Sequence, residues 1–322
     1  MNRFFCFIHG LLVLSLFLTA INLQSAELET ETYLSIVDRL YQQGECSAAL
    51  LMHRNFISPY DIEKCTPKTQ ALYHFLQGKC FMGLYEFEQA EVCFAKSLNI
   101  ERHNIEVLMW ASRCKMGLNN YAASIAILDI ALDISKLHPC LLSKRALVYA
   151  RLEKFPLAHA DIVAAEKSVD ISMAEKLVHR REVELNKAYV FMEEGKWHEA
   201  ETIFVSLMQM FEKEKNGFKD VWGEDRSVEI YAGLARINLD HSFKYDSALE
   251  YINKAIHIAP KNGLLYLGRA RIYSKLNKID KAITDLDRAA ELASGLKKVV
   301  KDRKTAIQRQ PAPIFRFDGF PL

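Results

Sequence analysis

This sequence lacks most of what would interrupt a helix or support catalysis. Glycine (13) and proline (8) are scarce among its 322 residues, and long β-branched alternating runs bounded by turn residues are missing. Sheet-rich folds are thereby excluded, and an all-α chain is expected. Charge of one sign is lacking too: 42 basic against 40 acidic residues leave a formal charge of +2. Phosphate backbones are gripped by clustered Lys and Arg, whereas both signs are interspersed here, so no nucleic-acid partner is expected. No CxxC pair occurs, which removes the usual zinc and dithiol arrangements. A Gly-rich phosphate loop, an HExxH pair and a GxSxG elbow are also absent. The ten His residues are scattered, and His138-Pro139-Cys140 reads as a boundary between structural units. Carboxylates such as Glu193-Glu194 read as a solvated helix end. The chain is therefore expected to be no enzyme, with no catalytic residue, no metal and no cofactor.

The first 26 residues are of another kind. Asn2 and Arg3 precede an almost unbroken apolar run from Phe4 to Leu18, and small and polar residues lead to Ser25-Ala26 before charges begin at Glu27. That layout is a secretory signal peptide. Gln24 fits the cleavage pattern poorly, and Phe4 to Leu23 is 20 residues, about a bilayer span, so an uncleaved membrane anchor is the alternative. Either reading takes the remainder out of the cytoplasm, to a periplasm, a secretory lumen or the extracellular space. Beyond this segment lie six cysteines, Cys46, Cys65, Cys80, Cys93, Cys114 and Cys140. An even number in an exported chain permits disulfides, while their helical positions favour buried thiols.

What is present is periodic. With the chain aligned on Ala90, Ser124, Ala158, Ala200, Ala248 and Ala282, four residues on come Phe94, Leu128, Ile162, Phe204, Ile252 and Leu286. Three further on come Ser97, Ala131, Ala165, Leu207, Ala255 and Ala289, and anchors are spaced 34, 34, 42, 48 and 34 apart. Twelve before most anchors stands another small residue, Gly78, Ser112, Ala146, Ala188 and Ala270, with Ala235 thirteen before its own. Offsets of four and seven lie on one helical stripe. Small residues at a crossing let antiparallel helices approach, and the large residue fills the gap between them. A single hairpin cannot bury both faces, so hairpins must stack.

This pattern resembles the tetratricopeptide repeat, a 34-residue helical hairpin with a small residue at position 8, Ala at 20, an aromatic at 24, Ala at 27 and often Pro at 32. Gly78–Phe81–Ala90–Phe94–Ser97, Ala248–Ile252–Ala255–Pro260 and Ala270–Tyr273–Ala282–Leu286–Ala289 carry it best. A degenerate unit with Gly44 and Ala49 precedes them, its large-residue position held by His53. The resemblance covers about residues 30 to 292 and implies a right-handed α-solenoid of six to seven hairpins. The expected organisation is a leader at 1–26, a repeat array at 27–295, a polar capping helix at 296–309 and an apolar Pro/Phe tail at 310–322. Extra residues fall around Lys167–Lys176 and in Phe211–Val228, the latter carrying Phe218 and Trp222 as secondary candidates for a partner contact.

The resemblance also implies a function, protein–protein interaction through a concave groove lined by first helices at positions 2, 5, 6 and 9. With Ala71 as position 1, the clamp that co-chaperones of this family use for a chaperone C-terminus is missing: its positions hold Phe75, Lys79, Trp110, Cys140 and Lys144. Position 9 reads Lys79, Arg113, Leu147, Tyr189, Arg236 and Arg271, and positions 5 and 6 add Phe75, Met109, Trp110 and Lys144. Cations beside aromatics suit a protein or peptide partner that is acidic with aromatic anchors. An interaction scaffold or adaptor is expected, the alternatives being a chaperone-like holder of unfolded clients and a membrane-tethered structural subunit.

Overall fold

The computed structural model describes residues 29–56, 62–168, 173–213 and 225–309. The expected leader at 1–26, Phe218 and Trp222, and the tail at 310–322 lie outside these residues. Fifteen helices succeed one another among the described residues, with no strand. They pair as hairpins: α1 (29–42) with α2 (Cys46–Phe56), α3 (Pro67–Gly83) with α4 (Phe87–Ile100), and α5 (Ile105–Gly117) with α6 (Tyr121–Ile134). Next come α7 (Pro139–Arg151) with α8 (Phe155–Ser168), α9 (Met173–Glu193) with α10 (Trp197–Lys213), α11 (Ser227–Asp240) with α12 (Tyr245–Ile258), and α13 (Gly263–Lys275) with α14 (Ile279–Leu292). A short 3₁₀ turn, Ser294–Leu296, leads into α15 (Lys297–Arg309), which packs on α14.

Local chemistry sets the helix starts. Thr66, Asn104, Asn120 and Asn262 each accept a backbone N–H of the first turn in the side chain, satisfying donors that have no intrahelical partner. Pro67 and Pro139 open α3 and α7 where a missing N–H costs nothing. Within each hairpin the turn uses one left-handed residue, and it always stands five before the anchor: Gly44, Tyr85, Asn119, Glu153, Gly195, Phe243 and Asn277. Glycine adopts that conformation without strain, whereas Tyr, Glu and Phe do so against a cost of roughly 1 kcal/mol. The recurrence of the conformation under seven dissimilar contexts shows that hairpin packing imposes it.

The aligned anchors Ala90, Ala158, Ala200, Ala248 and Ala282 have no exposed surface. At Ser124 the position is polar, and its hydroxyl lies 2.8 Å from that of Ser112 on the facing helix. Phe94 fills the space at the first full crossing: a β-carbon added at Gly78 would come within 2.6 Å of its ring. His53 fills the large-residue position of the first hairpin. It is buried, with Tyr73 edge-on at 4.8 Å between centroids and Tyr33 at 6.3 Å, and burial lowers its pKa to about 4. The extra residues of the fifth hairpin lengthen helices: α9 has 21 residues where α5, α7 and α13 have 13. The six cysteines among the described residues are buried and free.

The array returns on itself. Gly295 N–H donates to Leu84 O (3.0 Å), the Tyr85 hydroxyl to Asn262 Oδ1 (3.1 Å), Lys261 pairs with Glu45, and the Ser294 hydroxyl bonds Glu86. Gly295 is required here, because a β-carbon would stand 2.1 Å from Tyr85 O.

Two outcomes test this account. Ala282→Trp, at a crossing with no free volume, is expected to destabilise by about 1–3 kcal/mol or more in urea melts, the range for overpacking. Gly295→Val should enlarge the radius of gyration in small-angle scattering while helix content by circular dichroism stays at the wild-type level.

Candidate functional site

A cavity of about 410 Å³ lies where the array closes, walled by α1, α3, α5 and α11 and by the turn from α12 to α13. Tyr41, Tyr85, Phe87 and Trp110 supply its aromatic surface; Arg113, Arg226 and Lys261 face Asp225 and Glu229 among its charges. Trp110 is 2% exposed, and its buried indole Nε1 has no hydrogen-bond partner among the described residues. Since a buried donor without a partner is costly, the indole N–H is the natural handle for an incoming acceptor.

Around Trp110 the groove residues expected from the sequence gather into one cluster. The Lys79 ammonium stands 4.4 Å from the Tyr41 ring centroid, 5.3 Å from Trp110 and 5.6 Å from Phe75, with Asp38 at 3.9 Å. The Arg113 guanidinium lies 5.2 Å from the same Trp110 ring. Desolvated cation–π contacts of this kind reach about 2 kcal/mol, so they hold Lys79 in place although it is only 4% exposed. Phe75, Met109 and Tyr189 are buried in the core, and the Tyr189 hydroxyl donates to Glu229 O at 2.9 Å. These three stiffen the wall rather than offer surface.

The remaining cations are met from within. Lys144 Nζ binds Glu182 Oε1 at 2.6 Å, Arg271 binds Asp240 at 2.6 Å, and Arg236 reaches Glu193 at 3.5 Å. Arg226 bridges Glu229 at 2.7 Å and Glu182 at 3.6 Å. Arg113, with a side chain 41% exposed and Glu229 no nearer than 4.0 Å, keeps the most freedom. Inner first helices approach one another too closely for a basic stripe to stay unneutralised, and acidic residues occupy the gaps. Glu182 is wholly buried; burial alone would raise its pKa, but Arg226, Lys144 and the bond from Asn186 outweigh that and hold it at about 2. Glu229 is raised, burial prevailing over Arg226 and Arg113.

One further group could take a metal. Ligand atoms of His138, Cys140 and His179 all lie within 4.8 Å of one another, and Cys140 Sγ is 3.1 Å from His179 Nδ1. Burial and the neighbouring His179 lower the His138 pKa to about 4.

Comparison with known proteins agrees with the geometry. Residues 265–295, which are most of α13 and α14, match the family model described as tetratricopeptide repeat. A 72-residue stretch, 22% of this chain, is 36% identical to tetratricopeptide repeat protein 36 of Caenorhabditis elegans, and spans 40% of that protein's own length. Residues 265–295 carry a tetratricopeptide repeat, and the remaining hairpins share its helical fold. Among solved structures, a tetratricopeptide repeat protein from Parabacteroides merdae is similar over 88% of this chain and 99% of its own, at 18% identity and a TM-score of 0.55. Yeast Tom70 is similar over 87% of this chain and 60% of its own, at 16% identity and a TM-score of 0.52.

In repeat terms, the residues that the sequence reading missed stand at position 2. Glu182 lies 18 before Ala200, and Glu229 holds the same place in the fifth unit once its longer turn is counted. Position 2 was already a groove position, and two carboxylates there were the available signal. Asn262 and Gly295 carried no signal, since closure joins residues 177 or more apart.

Removing the Glu182 charge leaves Lys144 and Arg226 without their shared counter-ion. Glu182→Gln is therefore expected to cost about 3 kcal/mol or more at pH 7, as for other broken buried pairs. The depressed pKa gives the sign with pH: the contribution is complete above the ordinary value of 4.5 and is lost as pH falls toward about 2. The gap between wild type and Glu182→Gln in urea melts should narrow over that window.

Proposed function

We propose that this tetratricopeptide-repeat scaffold binds an extended segment of a partner protein in its central cavity, and that it does so outside the cytoplasm. The observation that carries the binding reading is the cavity itself. Its size suits a few side chains rather than a folded domain, and the buried Trp110 lines its wall with an indole N–H that lacks an acceptor among the described residues. A backbone carbonyl of an extended peptide supplies that acceptor, and an aromatic side chain of the partner packs on Tyr41 and Phe87. Arg113, the most exposed of the groove cations, favours an acidic residue beside that aromatic. A Rap protein structure similar over 88% of this chain, at 16% identity and a TM-score of 0.53, is of a protein complexed with Competence and Sporulation Factor. That neighbour supports binding by such an array and says nothing of which partner this chain takes.

Export rests on the composition of residues 1–26, whose short basic start, apolar run and small-residue end suit a signal peptide. Among the described residues no helix is long and apolar enough to cross a membrane. An interaction scaffold needs no catalytic group, and we infer that the chain carries out no reaction of its own.

The test is selection of decapeptides from a random library on the purified chain, followed by titration at two ionic strengths. Acidic peptides containing an aromatic residue should be recovered, with binding weakened by salt. Arg113→Glu should lower affinity by about tenfold, as expected for a charge-assisted contact, and Trp110→Phe should lower it without altering the salt dependence. Binding untouched by both changes would overturn the cavity reading. Phe243→Ala, on an exposed hairpin turn, should bind as wild type does.

A further inference from the structure

We propose that His138, Cys140 and His179 form a binding site for a single thiophilic divalent metal ion of the zinc class, between the first helices of the third and fourth full hairpins. The three residues come from two distant places in the sequence. His138 and Cys140 flank the proline that opens α7, and His179 lies in α9, which packs directly against α7. One thiolate and two imidazoles match the preference of zinc for sulfur and nitrogen ligands, with three protein ligands and an exchangeable fourth position.

The distances fit. Zinc–sulfur and zinc–nitrogen bonds of about 2.3 and 2.0–2.1 Å set ligand atoms roughly 3.3–3.8 Å apart in a tetrahedron. Cys140 Sγ and His179 Nδ1 are already 3.1 Å apart, and the whole set lies within 4.8 Å. Closing the widest separation by about 1–1.5 Å brings all three onto one ion, which rotation of the half-buried His138 ring at its turn supplies.

The scaffold beneath is rigid. On α7, Cys140, Ser143 and Lys144 share one face, and on α9 so do His179, Glu182 and Asn186, following helical spacing. Asn186 donates to Ser143 Oγ at 2.9 Å, Ser143 Oγ donates to Cys140 O at 3.1 Å, and Lys144 binds Glu182 at 2.6 Å. These rungs fix the register of the two helices next to the ligands, so His179 is held opposite Cys140 whether or not an ion is there. Lys144 is the nearby cation, and its pairing with Glu182 relieves its repulsion of a metal. Cys140 has no exposed surface, which protects its thiol from ordinary oxidation and alkylation, while His138 on the rim gives the ion its way in. On binding, the Cys140 thiol releases its proton to solvent and the sulfur lone pair forms the bond to the metal. A site of this kind would clamp α7 to α9 at the point where the regular 34-residue spacing of the array is interrupted.

Cobalt(II) titration of the purified chain under reducing conditions tests this. The expected result is a thiolate-to-cobalt charge-transfer band with tetrahedral visible bands, saturating at one equivalent and displaced by zinc but not by magnesium. Cys140→Ser should abolish the charge-transfer band although five other buried thiols remain, and His138→Ala should weaken cobalt binding by at least about tenfold. Absence of the band from the wild-type chain at one equivalent overturns the proposal, and so does its survival in Cys140→Ser. Should that variant fail to fold by circular dichroism, His138→Ala, altered at a half-exposed turn, decides: unchanged cobalt affinity overturns the site.

Discussion

Two antiparallel helices can approach closely only where one of them presents almost no side chain, and the rest of this protein depends on that restriction. Gly78, Ala90 and their counterparts keep the crossing open, and the neighbouring large residue, Phe94 in the first full hairpin, occupies the space that the small one leaves. Once each crossing is set, the chain has a fixed distance over which to reverse. The same left-handed turn residue then recurs five before each anchor, even where Tyr85, Glu153 or Phe243 must adopt it. Packing across the hairpin overrides the local preference of the residue, because the burial of several apolar side chains outweighs roughly 1 kcal/mol of backbone strain.

Stacked hairpins need ties as well as apolar contact, and two of them are built alike. Arg145 binds Asp161 through two bonds of 2.8 and 2.7 Å and Asp129 at 2.7 Å, while Arg269 binds Asp285 at 2.8 and 2.7 Å and Asn253 at 2.9 Å. In each case a guanidinium on a first helix joins its own second helix to that of the preceding hairpin, the two-pronged geometry for which arginine is suited. Curvature then brings the ends together. Gly295 against Tyr85 and Asn262 beside the Tyr85 hydroxyl close the array, and closure converts an open groove into a cavity. A concave face this tight cannot hold a row of free cations, which is why Glu182, Glu193, Glu229 and Asp240 stand between Lys144, Arg226, Arg236 and Arg271.

Much of this was legible in the sequence, and the reason is local. The hairpin core is written in offsets of four, seven and twelve residues, all within one helix pair, so phase and helix number could be read directly. The association of Phe75, Lys79, Trp110 and Arg113 was legible in part, because repeat positions 5, 6 and 9 share an inner face. Burial was not: Phe75, Met109 and Trp110 look like groove anchors by position, yet all three are buried in one apolar cluster. The acidic partners were overlooked although position 2 displayed them.

By itself the sequence determined the helical hairpins, their order and their crossings, since those follow from periodicities shorter than one repeat. Only the tertiary structure decided which polar groups meet across repeats. Glu45 with Lys261 and Leu84 with Gly295 are joined by the summed rotation of successive hairpins. A rotation accumulated over several units is set by packing angles at each interface, and no spacing within a single repeat records it.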